Sequence, residues 1–259
     1  MLVLGFDVEA TGLDVKKDSI IEIGAILFDV KNSIWNKVEE FSQIVYESSY
    51  GTLSKEVIEV TGITNEMLRA LGKPFVDTID GLLPLLEKSS VIVAHNKQFD
   101  KSMLLNQLER YRLPNCLSLL DGKDWICSIE DLKSNRKMKC MKLSHLALDY
   151  GVTVNPKELH RASNDVELMG KLLTEAKADP IEMLGYSKEP NIIIRAHIMA
   201  PWKDGGEGKK EAQRLGFSWE KTKNSDRVFD KMWVKRIKES EKDAESKEAS
   251  FPISVIGRL

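Results

Sequence analysis

Five side chains in this sequence could do chemistry together: Asp7, Glu9, Asp100, His160 and Asp165. Asp7 and Glu9 follow a short apolar run, Leu2-Val3-Leu4-Gly5-Phe6, that reads as a buried strand. Residues two apart on a strand share a face, so the two carboxylates project together. Paired carboxylates repel unless a positive charge sits between them, and a divalent cation with a taste for oxygen ligands, Mg²⁺ or Mn²⁺, is the natural counter-charge. Asp100 falls in the first turn of a helix after the apolar run Val91-Ile92-Val93-Ala94, and Asp165 falls near the start of a helix carrying Val166, Met169, Leu172 and Leu173. His160 lies five residues before Asp165. A free histidine titrates near neutral pH and can accept a proton from water. Two oxygen-caged cations with a nearby base form the set that cleaves phosphodiesters, one ion activating water and the other stabilising charge on the leaving oxygen. Taken singly, each residue has an ordinary use: Asp100 as an acid at a helix N-terminus, Asp165 as a cap, His160 as an exposed polar group.

The elements that must position these groups follow from the pattern. Residues 19–28 and 33–45 read as two strands joined by the turn Asp29-Val30-Lys31-Asn32, so the chain opens as a meander. Ser54 and Thr64 are candidate caps of two short helices. Residues 75–87 carry one apolar face with Ile79, Leu82, Leu83 and Leu86. Val91 to Ala94 is a second buried strand and Trp125-Ile126-Cys127 another, after which Ser128 is read as the cap of a basic-tailed helix. Helices are expected over 99–111, 142–150 and from Asp165 onward. In mixed α/β sheets, sites gather beyond the carboxyl ends of strands, where Asp7, Glu9 and Asp100 are placed.

Three motifs carry a resemblance. Phe6-Asp7-Val8-Glu9-Ala10-Thr11-Gly12-Leu13, Val93-Ala94-His95-Asn96-Lys97-Gln98-Phe99-Asp100 and His160-Arg161-Ala162-Ser163-Asn164-Asp165 resemble the exonuclease motifs of the DEDDh 3′→5′ exonucleases, the group of replicase proofreading subunits, exonuclease X, RNase T and oligoribonuclease. The resemblance covers about residues 1–177. It implies a ribonuclease-H-like α/β fold, a mixed sheet flanked by helices, two Mg²⁺ or Mn²⁺ ions and release of nucleoside 5′-monophosphates. It further implies that Asp7, Glu9, Asp100 and Asp165 are metal ligands and that His160 is the general base. Thr11, Gly12 and Leu13 would line the terminal nucleotide, and Asn96 and Phe99 would shape the pocket. Nucleic acid is the implied partner, DNA favoured over RNA, with a polymerase or sliding clamp as a possible protein partner. The rival reading is an idle nucleic-acid-binding or replisome-docking protein on the same fold.

The composition sets bounds. The chain has 259 residues, 42% hydrophobic, enough for one medium domain and a small appendage. Net charge of −2 gives no global pull toward nucleic acid or anionic membrane, so any basic footprint is local. The three cysteines, Cys116, Cys127 and Cys140, lack the spacing of a zinc site or a disulfide framework and suit a cytoplasmic protein. No apolar run is long enough to span a membrane, and the oligomeric state is open. Residues 178–191, with Asp179-Pro180 and Glu189-Pro190, read as a linker. Residues 192–237 read as a small α+β module resembling an accessory unit appended to some exonucleases, and 238–259 as a flexible charged tail with an apolar end. Between Lys203 and Arg236, ten basic residues face six acidic ones, with Phe217, Trp219 and Trp233 interleaved and Trp202 just before them. Basic groups among aromatics suit single-stranded nucleic acid, although a small module also needs large residues for its core.

Overall fold

A computed structural model describes residues 1–133, 140–156, 159–198, 206–223 and 229–258. It divides into two compact units, Met1–Ser187 and Lys188–Leu259.

The first unit runs β1 (Leu2–Ala10), β2 (Ile20–Lys31), β3 (Ile34–Ile44), α1 (Lys55–Thr61), α2 (Asn65–Leu71), α3 (Phe75–Lys88), β4 (Val91–Ala94), α4 (Lys97–Arg110), α5 (Pro114–Asp121), β5 (Asp124–Cys127), α6 (Leu143–Asp149), α7 (Ala162–Glu175) and α8 (Pro180–Lys188). The strands form one sheet in the order β3-β2-β1-β4-β5. β1, β2 and β3 are antiparallel, while β4 and β5 run parallel to β1 and to each other. This is the mixed sheet flanked by helices that the resemblance implies. Alternation along β1 divides the core. Leu4, Phe6 and Val8 pack with α3 and α4 on one face, and Val3 joins Ile26, Phe28, Val166, Met169 and Leu173 on the other. The period-2 rule places Asp7 and Glu9 on the face covered by α7.

Two glycines let α7 lie close to that face. A Cβ at Gly24 would stand 2.2 Å from the backbone of Ala162 and Ser163, and one at Gly5 would stand 2.5 Å from Val166 Cγ1. Ser54 and Thr64 cap α1 and α2, accepting from the Val57 and Met67 N–H groups. Ser128 departs from expectation. No helix begins at it among the described residues 128–133, and its hydroxyl instead meets His95 Nδ1 at 2.8 Å. The basic-tailed segment expected there falls largely on residues 134–139, which lie outside the described residues, as does Trp202.

The second unit contains β6 (Asn191–Ala196), α9 (Glu207–Arg214), β7 (Ser218–Lys223), β8 (Phe229–Lys238), a 3₁₀ turn at Glu239–Glu241, α10 (Lys242–Glu248) and β9 (Ile253–Arg258). The strands form an antiparallel sheet in the order β7-β8-β6-β9. Two expectations need correcting. The stretch expected as linker contains α8, whose first N–H groups, at Ile181 and Glu182, donate to Asp179 Oδ1 and whose Met183 is buried. The stretch expected as a flexible tail is α10 and β9, with β9 paired to β6. Its charges find partners nearby: Lys235 with Glu245, Arg214 with Glu248, Arg258 with Glu239. Its Phe251 lies buried against Phe217 with ring centroids 5.7 Å apart.

Candidate active site

Asp7 and Glu9 stand at the carboxyl end of β1, where the ladder to β2 shifts register between Glu9 and Ala10. Asp165 lies in the first turn of α7, carried over them by the close approach at Gly24. Ligand oxygens of Asp7, Glu9 and Asp165 all lie within 4.8 Å of one another. Asp100, in the first turn of α4 and buried, borders this set. Its Oδ1 accepts the Val8 N–H at 3.1 Å, and its charge acts on Asp7.

Crowding and burial shift these acids upward. Burial pushes Asp7 well above the usual carboxylate range, and the charges of Asp100, Glu9, Asp165 and Glu22 push the same way. Glu9 is raised to about 8, by burial first and then by Asp165, Glu22 and Asp100, with Arg161 opposing. Burial lifts Asp100 to about 7 against the restraining backbone bond from Val8. It lifts Asp165 to about 6, with the neighbouring His160 holding it down. Such a pocket binds protons at neutral pH unless something positive replaces them. Three hard oxygen donors at this spacing suit Mg²⁺ or Mn²⁺, which Asp7, Glu9 and Asp165 could hold with Asp100 beside them.

His160 is exposed and adopts a left-handed backbone (φ 62°), uncommon for a residue with a side chain. Its N–H donates to Asp165 Oδ2 at 3.3 Å, which ties the loop before α7 to the acid cluster. Thr11, Gly12 and Leu13 follow β1 in a loop held by Asp18, which accepts from the Thr11 hydroxyl at 2.9 Å and from the Asp14 N–H at 2.8 Å. Leu13 is 85% exposed at its tip. Asn96 is exposed and left-handed (φ 67°) at the start of α4, and Phe99 is half-buried against the larger core cluster.

Sequence reasoning missed the pair that seats α7. Glu22 lies directly across from Glu9 in the β1–β2 ladder and is fully buried. Arg161 Nε donates to both of its oxygens at 3.1 Å, and Nη2 donates to Oε1 at 2.6 Å. The Ala162 N–H, at the first residue of α7, donates to Oε2 at 3.0 Å. The N-cap residue Arg161 makes no side-chain cap hydrogen bond, and Glu22 supplies an acceptor from a strand. The only signal was the acid itself, interrupting the apolar run Ile20-Ile21-Glu22-Ile23.

Comparison with known proteins decides the relationship. The family model described as exonuclease, of the RNase T type, matches residues 4–173. The chain belongs to the RNase T/DEDDh exonuclease family. It is a 3′→5′ exonuclease of that family and acts on nucleic acid. It is 30% identical over 182 residues to DNA polymerase III subunit epsilon of Treponema pallidum (strain Nichols), covering 70% of this chain and 79% of that protein. It is 32% identical over 166 residues to the PolC-type DNA polymerase III of Thermotoga petrophila, covering 64% of this chain but only 11% of that much longer protein. Among solved structures, exonuclease I matches with a TM-score of 0.60 at 17% identity, covering 78% of this chain and 50% of that one. Exonuclease X in complex with 5′ overhanging duplex DNA matches with a TM-score of 0.51 at 21% identity, covering 71% and 99%. Among the described residues, no helix is long and apolar enough to cross a membrane.

Proposed function

We propose that this exonuclease removes nucleoside 5′-monophosphates one at a time from 3′ ends of DNA, single-stranded or in 3′ overhangs, by two-metal hydrolysis with His160 as general base. The observation that carries the reading is the convergence of Asp7, Glu9 and Asp165 within 4.8 Å, with Asp100 bordering them. So many acids in a half-buried pocket, opposed among their nearest charges by Arg161 and His160, favour cations strongly. When bound, two divalent ions would supply an activated water and neutralise charge on the leaving oxygen.

The chain's own residues do the rest. Asp7, Glu9, Asp100 and Asp165 would hold the ions. His160 takes the proton from the attacking water. Its left-handed backbone is the kind of local strain that persists at working sites, and its backbone N–H bond to Asp165 ties the residue to the acid cluster. The Thr11–Leu13 loop, fixed by Asp18 and by the Thr11 N–H donating to the Ser19 carbonyl, offers the Gly12–Leu13 backbone and the exposed Leu13 side chain to the terminal nucleotide. Asn96 and Phe99 border the same end of the sheet from the start of α4. DNA is favoured over RNA by the similarity to a replicase subunit, and a polymerase is the protein partner which that similarity suggests.

Incubation of a labelled oligonucleotide with Mg²⁺ or Mn²⁺ tests this. Mononucleotides should appear with metal, not with chelator, and not with Asp7→Ala or Asp165→Ala. A cleanly purified Asp7→Ala protein that still releases mononucleotides would refute it.

A further inference from the structure

The second unit carries a charge and an aromatic pair that the exonuclease centre does not use. Residues 188–259 hold 16 Lys and Arg against 12 Asp and Glu, a net of +4, whereas residues 1–187 hold 22 against 28, a net of −6. By net charge, the second unit is the one whose field attracts a polyanion.

Trp219, on the edge strand β7, is paired directly with Trp233 on β8, and their ring centroids lie 5.5 Å apart at 49°. The two rings differ in role. Trp233 is partly buried against the core formed by Ile192, Ile194, Leu215 and Phe217, which fixes it. Trp219 is 53% exposed, although it has that aromatic partner. Two positions further along the same ladder, Lys221 is paired with Lys231. An edge strand tends to carry charge to discourage pairing, and a large indole left half in water on one costs solubility without adding to the core.

We propose that Trp219, backed by Trp233, is a stacking platform for unpaired nucleobases and gives the enzyme a second contact with single-stranded nucleic acid, apart from the carboxylate centre. The indole face accepts any base, and the net positive charge of the second unit attracts the phosphates, a combination suited to sequence-independent binding. The inference rests on the exonuclease reading, since it assigns the same polymer to a second surface.

The full-length chain provides the test. In chelator, where nothing is cleaved, Trp219→Ala should weaken binding of a fluorescent oligothymidylate by about tenfold, the order expected for one lost stacking contact. Trp219→Phe should stay within about threefold of the parent, because a smaller ring still stacks. Hydrolysis of the p-nitrophenyl ester of thymidine 5′-monophosphate with Mn²⁺ should be unchanged in both, since this substrate carries a single nucleotide and no further base to stack. If the parent fails to hydrolyse that ester or any oligonucleotide, the exonuclease reading itself is wrong. If it does hydrolyse them but both variants bind the oligothymidylate as the parent does, the stacking platform is overturned. An arm independent of any variant's folding uses N-bromosuccinimide on the parent protein, with the modified residue located by peptide mapping. Oligothymidylate should protect Trp219 from oxidation and thymidine monophosphate should not. Equal oxidation with and without the oligonucleotide would overturn the proposal and point to a protein partner for the exposed indole.

Discussion

Arg161→Ala should loosen the exonuclease centre without touching any of its acids. The guanidinium gives Glu22 three hydrogen bonds, leaving only the Ala162 N–H when it is removed. Glu22 is then a buried carboxylate, 1% exposed, directly across the ladder from Glu9 with no cation on it. Breaking a buried ion pair from one side costs about 3–5 kcal/mol. Arg161 is 37% exposed, so water and salt screen part of the pair and about 1–3 kcal/mol is the reasonable expectation. For a unit of this size that is a fall in Tm of roughly 3–10 °C. The functional loss should exceed the stability loss, because Glu22 anchors the first residue of α7 and thereby Asp165. Arg161 also opposes the upward shift of Glu9, so its removal makes the pocket harder to ionise. Melting curves paired with calorimetric Mn²⁺ titration read both effects. Mn²⁺ affinity should fall about tenfold, within the range that outer-shell partners of metal ligands contribute. Arg161→Lys should recover little of it, since an ammonium cannot make the two-pronged contact. A variant that melts with the parent and binds Mn²⁺ equally would refute the seating role.

His160→Ala should cut turnover by about 10²–10⁴-fold with Mn²⁺ affinity nearly kept, the usual worth of a general base, and a pH–rate profile unchanged from the parent's would argue against that role. Gly24→Ala should destabilise by about 1–3 kcal/mol or more, because its Cβ would stand 2.2 Å from the Ala162 backbone and push α7 off the sheet; an unshifted thermal midpoint would contradict that packing. The chelated protein should grow less stable as pH rises. Glu9 and Asp165 have folded-state values raised to about 8 and about 6, so their contribution is full below the ordinary carboxylate range and is lost as pH climbs through those values. Mn²⁺ should reverse the trend by replacing the lost protons, and a chelated Tm that rises between pH 5 and 8 would refute the assignment.

Much of the first unit was legible because its pieces are local. β1 announces itself as an apolar run ending in Asp-Val-Glu, and Ser54 and Thr64 cap where short polar residues precede helical spacing. The acids were legible for the same reason: each lies at an element end, and the period-2 rule alone puts Asp7 and Glu9 together. What escaped was non-local. Nothing in Ile20-Ile21-Glu22-Ile23 says that its acid will cap a helix starting 140 positions later. Ser128 looked like a cap because its partner, His95, is distant in sequence. Composition misled at the C-terminus. A charge-rich stretch reads as solvated chain, yet Phe251 is buried on Phe217 and β9 closes against β6, neither visible without knowing the other strands.

The most direct test is anomalous scattering from a crystal grown with Mn²⁺ and a nucleoside 5′-monophosphate. The account predicts manganese peaks among the carboxylates of Asp7, Glu9 and Asp165, with Asp100 alongside, that disappear in Asp7→Ala. A well-ordered crystal whose pocket holds nucleotide but no manganese, or whose manganese sits elsewhere, would contradict it.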